Sequence, residues 1–164
     1  MKKKYKGEES ESKEGLGYFP NKPPNMKVRW CWPYSVKYLD ETERLKYKVV
    51  VKNKKLYNSK GDLVDTKNAG DSSDYLRNAI FVMDRDGTIY LSDFYVPRHF
   101  HHSSFLAGAP VSAAGEIKVV NGVIKEIDLS SGHYEPTLKL NEQILKVLEN
   151  EFDIKNINLK NSYN

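Results

Sequence analysis

The alternation of apolar and polar positions divides the chain into short strands with few helices. Val28, Trp30 and Trp32 alternate with polar neighbours over Lys27 to Trp32, the period of a half-buried strand, and Pro33 ends it. Asp40 can cap a short helix through Lys46, with Glu43 in the capping-box position and Leu39 before the cap. Tyr47 to Val51, Lys55 to Tyr57 and Leu63 to Val64 read as strand pieces separated by turns at Asn53 and Lys60-Gly61-Asp62. The compact run Ala79 to Met83, the turn Asp84-Arg85-Asp86-Gly87 and the return Thr88 to Ser92 form a hairpin. The Asp-x-Asp-Gly sequence is a tight turn, because the later ligands and closing Glu of a calcium loop are missing.

Glu116 to Val120 and Val123 to Asp128 flank Asn121-Gly122, a pair suited to a type I′ turn because both central residues need positive φ. Leu140, Ile144, Leu148 and Phe152 then recur at helical spacing, which predicts an amphipathic helix over Asn141 to Glu151. Ile154, Ile157 and Leu159 offer one last short strand. The pattern predicts an α+β fold: a twisted antiparallel sheet of hairpins with the C-terminal amphipathic helix packed on one face. Met1 to Glu14 has almost no apolar residue, and Gly15 to Asn25 is punctuated by Pro20 and Pro23-Pro24. Residues 1–25 are therefore expected to be a tail or linker, and 26–164 a single domain.

Composition adds four constraints. A chain of 164 residues can bury a core of its own. The lone Cys31 cannot form an intramolecular disulfide, so stability does not require an oxidising compartment. No apolar run approaches the roughly 20 residues needed to cross a bilayer, and no apolar signal core follows the basic start, so neither a membrane nor self-export is expected. The net charge of +4 is modest. Lys46, Lys48, Lys52, Lys54 and Lys55 come closest to a basic patch that could touch phosphate, although lysines also protect a sheet edge from aggregation.

One stretch breaks the charge pattern. The chain is 29% charged, yet Phe100 to Gly115 carries no charged residue. His99, His101 and His102 open this stretch, Ser103-Ser104 follow, and Glu116 closes it. The fourth histidine lies in a second cluster, Ser130-Ser131-Gly132-His133-Tyr134, beyond the predicted hairpin. Folding back would make the two clusters walls of one pocket.

Three chemistries suit these residue types. His99 and His101 have His-x-His spacing for a metal, but a regular strand would turn His102 to the opposite face, and no metal is expected. His102, Ser103, Ser104, His133 and Asp128 supply the groups of a hydrolase without its G-x-S-x-G elbow. A cleft lined by small residues could instead admit NAD as a co-substrate. Its hydroxyls would hold ribose, Tyr134 would stack, and Glu116 would stabilise a developing oxocarbenium charge.

The runs Ile80 to Tyr90, Phe100 to Ile117 and Asn121 to Pro136 resemble a C-terminal effector domain of bacterial polymorphic toxins of the Rhs type. Their H-S-S-F-L-A-G and S-G-H-Y-E-P core also resembles plant IQ-motif calmodulin-binding proteins. The toxin resemblance implies an effector delivered from a producing bacterium into a target cell, acting in its cytoplasm on a protein or RNA and matched by an immunity protein. It carries over His102, Ser103, Ser104, Gly108, Ser131, Gly132, His133 and Tyr134, with Glu116 from the toxin-like A-A-G-E.

The expected activity is ADP-ribosyltransferase-like. Glu116, His102 and His133 would be catalytic, and Ser103, Ser104, Ser131, Gly132 and Tyr134 would bind substrate or NAD. No IQ helix occurs in this sequence, so calmodulin is not expected as a partner. The alternatives are a non-enzymatic binding module, whose His-Ser clusters pin a loop, and a hydrolase or nuclease toxin.

Overall fold

The computed structural model describes residues 36–69, 78–96, 99–129, 131, 134, 138–152 and 154–160. The expected tail and the strand at Lys27 to Trp32 lie outside the described residues. Among the described residues, three α-helical segments, α1 (Glu41–Arg44), α2 (His102–Phe105) and α3 (Leu138–Glu149), accompany seven strands. The strands are β1 (Lys48–Lys52), β2 (Lys55–Tyr57), β3 (Ala79–Met83), β4 (Ile89–Ser92), β5 (Ala113–Val120), β6 (Val123–Asp128) and β7 (Asn158–Lys160). They form one sheet in the order β2-β1-β4-β3-β5-β6-β7.

The fold is mostly β, with a curled mixed sheet and few short helices, rather than an antiparallel α+β sheet. Every neighbouring pair is antiparallel except β6 and β7, which run parallel. Parallel neighbours cannot share a tight hairpin and need a crossover. The segment containing α3 supplies it between β6 and β7.

Local chemistry sets several of the boundaries. Asp40 caps α1 by accepting from the Glu43 amide at 2.7 Å, and Glu43 returns a carboxylate to the Asp40 amide at 3.2 Å. One 3-10 turn, Leu45–Tyr47, then leads into β1. The β1-β2 turn has both Asn53 and Lys54 at positive φ, and the β5-β6 turn does the same with Asn121 and Gly122. Between β3 and β4, Asp84 Oδ1 accepts from the amides of Asp86 and Thr88, each at 2.9 Å. The carboxylate is spent on the turn itself.

β3 is buried along its whole length, and its alternation separates two apolar clusters. Ala79, Phe81 and Met83 join Leu56, Ile117, Val119, Ile124 and Ile127, together with Ile144, Leu148 and Phe152 from the C-terminal part. Ile80 and Val82 join Leu39, Tyr90, Phe100, Phe105, Leu106, Val111, Ala114 and Tyr134.

Curling brings the β5-β6 turn back to the other end of the sheet. The Leu56 amide donates to Gly122 O at 2.8 Å, and the Gly122 amide donates to Val64 O at 2.7 Å. Thr66 Oγ1 accepts from the Val119 amide at 2.9 Å, fixing the loop after β2 beside β5.

The in-out assignment predicts unequal costs on neighbouring strands. Phe81→Ala should destabilise by about 3–5 kcal/mol in urea unfolding, whereas Val50→Ala, on the outward face of β1, should stay within about 0.5 kcal/mol.

Candidate functional site

Within the uncharged stretch, His102–Phe105 is a turn of helix rather than a strand. His101 is extended, at φ −156° and ψ −167°, and α2 begins at the next residue. Ser104 Oγ accepts from the His101 amide at 3.0 Å, while the Ser104 amide donates to His101 O at 2.9 Å. Ser103 Oγ lies 3.1 Å from His101 Nδ1. The Gly108 amide then donates to Ser103 O at 2.9 Å, and Gly108 itself sits at φ +77°, a conformation that glycine adopts without strain.

Polar atoms of this segment also hold neighbouring strands and loops. His102 Nε2 is 2.9 Å from Gly115 O. A carbonyl can only accept, so Nε2 carries the proton. The Leu39 amide donates to Ser104 O at 2.9 Å, and the Lys37 amide donates to His99 O at 2.7 Å. Beneath them, Phe100 and Phe105 meet edge to face at 5.5 Å, and Tyr47 packs against both. His101, His102, Ser103 and Ser104 are 1%, 6%, 0% and 0% exposed.

Of the second cluster, Tyr134 reaches the uncharged stretch. Buried Tyr134 donates its hydroxyl to Ala109 O at 3.0 Å, and its ring shares the apolar cluster of Phe100, Phe105 and Leu106. Aliphatic and aromatic packing surrounds Tyr134 at this junction. Ser131 is buried too, and its Oγ has no hydrogen-bond partner among the described residues. Ser130, Gly132 and His133 lie outside the described residues, so the structure places neither His133 nor the pocket it was expected to share.

Glu116 sits on β5 opposite Ile80 on one side and Asp128 on the other. Burial pushes its carboxyl up to about 7, with further upward pressure from Asp128 and Glu126, while Asn78 and Lys160 pull it down. Glu126 is shifted the other way, held down chiefly by its hydrogen bond to Lys160, at 2.9 Å. Among the described residues, no group of three or more His, Cys, Asp or Glu side chains is placed to hold a metal.

Two positions missed in the sequence complete the arrangement. A Cβ on Gly115 would meet Asp128 O at 2.2 Å, so β5 and β6 approach there as only glycine permits. A glycine inside the strand sequence A-A-G-E was the available signal. Buried Gln143 donates to Ser112 O at 3.0 Å, linking α3 to the residue before β5. No apolar period could have marked that residue.

The raised carboxyl makes stability depend on pH. Glu116 is protonated in both states below about 4.5 and ionised in both above about 7; between these values the folded chain holds more protons, so stability falls as pH rises. Glu116→Gln should remove this fall. It should be more stable than the parent at about pH 8, by on the order of 1–2 kcal/mol after allowance for solvent screening, with the advantage vanishing near pH 4. Urea unfolding across that range measures the difference.

Comparison with known proteins identifies the lineage of this arrangement. The chain is 36% identical over 140 residues to the Arabidopsis thaliana IQ domain-containing protein IQM2, covering 84% of this chain and 22% of the relative. For IQM3 of the same plant the identity is 32% over 145 residues, covering 87% and 30%; for IQM4 it is 37% over 123 residues, covering 74% and 22%. The chain thus spans less than a third of these relatives' length. No solved structure matches it.

These matches overturn the toxin reading, and with it the effector keywords, the ADP-ribosyltransferase assignment and delivery from a bacterium into a target cell. They also remove the basis for a target-cell protein or RNA, or an immunity protein, as partners. The exclusion of calmodulin as a partner is corrected as well, because the matches are to IQ motif-containing and IQ domain-containing proteins. Residues 43–140, more than half of the chain, match the IQ motif-containing protein middle domain, and the chain belongs to that family.

Proposed function

We propose that the chain is a non-enzymatic binding module within a larger protein of the calmodulin-binding, IQ motif-containing type, and that its His-Ser segment fastens the fold. The observation that carries this reading is the burial of His101, His102, Ser103 and Ser104, whose polar atoms bond to one another and to nearby backbone. A nucleophile or general base must be within reach of its substrate. Imidazole and hydroxyl groups used in this way instead fix the entry to β5 and cover the second apolar cluster.

The same reading gives α3 a supporting role, with its apolar stripe packed on one face of the sheet. Buried Ile144 and Leu148, which share a cluster with Phe81, Ile117 and Ile127, support this. The domain would then present a fixed outer surface to partners while the rest of the larger protein supplies further elements.

His102→Ala should cost about 2–3 kcal/mol by removing a buried donor and leaving a cavity. His102→Gln, which keeps a donor at comparable reach, should recover about half of that. Both variants and the parent should release no nicotinamide when incubated with NAD. Nicotinamide release that depends on His102 and Glu116 would overturn the proposal. Leu148→Ala should cost about 2–5 kcal/mol in urea unfolding, against less than about 0.5 for exposed Lys146→Ala. Equal effects at the two positions would remove α3 from its proposed place.

A further inference from the structure

The lysines of the first hairpin line a groove that the other described residues leave open. β1 alternates, placing Val49 in the core and Lys48, Val50 and Lys52 on the outward face. Tyr57 of β2 pairs opposite Val50. The 3-10 turn contributes Leu45, and the loop Asn58–Gly61 forms the opposing wall, enclosing about 750 Å³. Ser59 Oγ donates to Lys46 O at 3.0 Å, so loop and turn are tied together.

Two features of this groove point to a ligand. Leu45 and Val50 are 56% and 49% exposed, an apolar floor open to solvent. Lys48, Lys52 and Lys60 stand around that floor, and among the described residues no carboxylate pairs with any of them. A solvated protective edge accounts for lysines but not for aliphatic side chains exposed between them. Nucleic acid would use several stacking aromatics, and the groove lining contains one, Tyr57. A second copy of this chain, itself carrying +4, would be repelled.

We propose that this groove docks an acidic peptide segment bearing a large aliphatic or aromatic anchor. The anchor lies over Leu45, Val50 and Tyr57, and its flanking carboxylates face Lys48, Lys52 and Lys60. The inference rests on the reading of the chain as a binding module and names the surface through which that module works. Charge complementarity steers the encounter and apolar contact holds it, so affinity depends on both salt and the floor.

The test titrates isotope-labelled chain with a short synthetic peptide of glutamate and leucine, followed by amide chemical shifts. Perturbations should centre on Leu45, Val50, Tyr57 and Lys60, and binding should weaken as salt rises from about 0.05 M to about 0.3 M. The double variant Lys48→Glu/Lys52→Glu should lose about tenfold in affinity and Val50→Ser about threefold, with thermal melting like that of the parent. A lysine-leucine peptide should not bind. Tighter binding of single-stranded oligothymidylate than of the acidic peptide at these residues would overturn the proposal. So would unchanged peptide affinity in the double variant. Peptide perturbations on another face would overturn the groove while leaving the module reading intact; that reading fails separately, through histidine-dependent NAD cleavage.

Discussion

A central strand enclosed on both sides governs this molecule. β3 has no polar face, so each of its five side chains needs apolar cover, and alternation sends them to two separate layers. One layer gathers the aliphatic residues of β5 and β6 with those of the C-terminal part. The other meets no second sheet among the described residues. Its cover is the short α2 turn with the loops beside it, whose buried backbone must be satisfied without ladder partners. Backbone bonds within the turn and from Leu39, together with the Ser104 hydroxyl, do so, which is how so polar a segment lies in so apolar a place. The phenylalanines at 100 and 105 supply the hydrocarbon, and their polar neighbours hold the turn that presents them.

Much of the sheet was legible because its signals are local. Ala79 to Met83 and Val123 to Asp128 match their strands, and Asn121-Gly122 forms its turn with both residues at positive φ. The Asp40 and Glu43 pair caps its helix as the spacing suggested. Direction was less legible. Asn158 to Lys160 looks like any short strand, and whether it enters parallel or antiparallel depends on the crossover before it rather than on its own residues. The segment at His102 was misread as a strand for a related reason: a single helical turn closed by serine is too short to show a helical period.

The candidate site was conspicuous in the sequence because its residue types serve catalysis and structural hydrogen bonding alike. A cluster of imidazole and hydroxyl groups flanked by small residues describes an active site and equally describes a sealed polar joint. Residue type cannot separate them, because the difference lies in which groups those atoms face. Tyr134 illustrates the point: its pairing with the uncharged stretch was anticipated, but its hydroxyl binds the carbonyl of Ala109 and its ring is packed among phenylalanines. The family match leaves that question open, since it covers only part of much longer relatives.

The register of β5 against β6 slips by one residue beyond Lys118, leaving Lys125 without an opposite number. Ile124 and Ile127 both lie in the core although three positions separate them. Lys125 is therefore supernumerary to the pleat. Excising it would restore strict alternation with both isoleucines still pointing inward, and the ribbon would straighten where it now bends. A single surplus amino acid thereby contributes to the sheet's curvature while leaving its hydrophobic side intact.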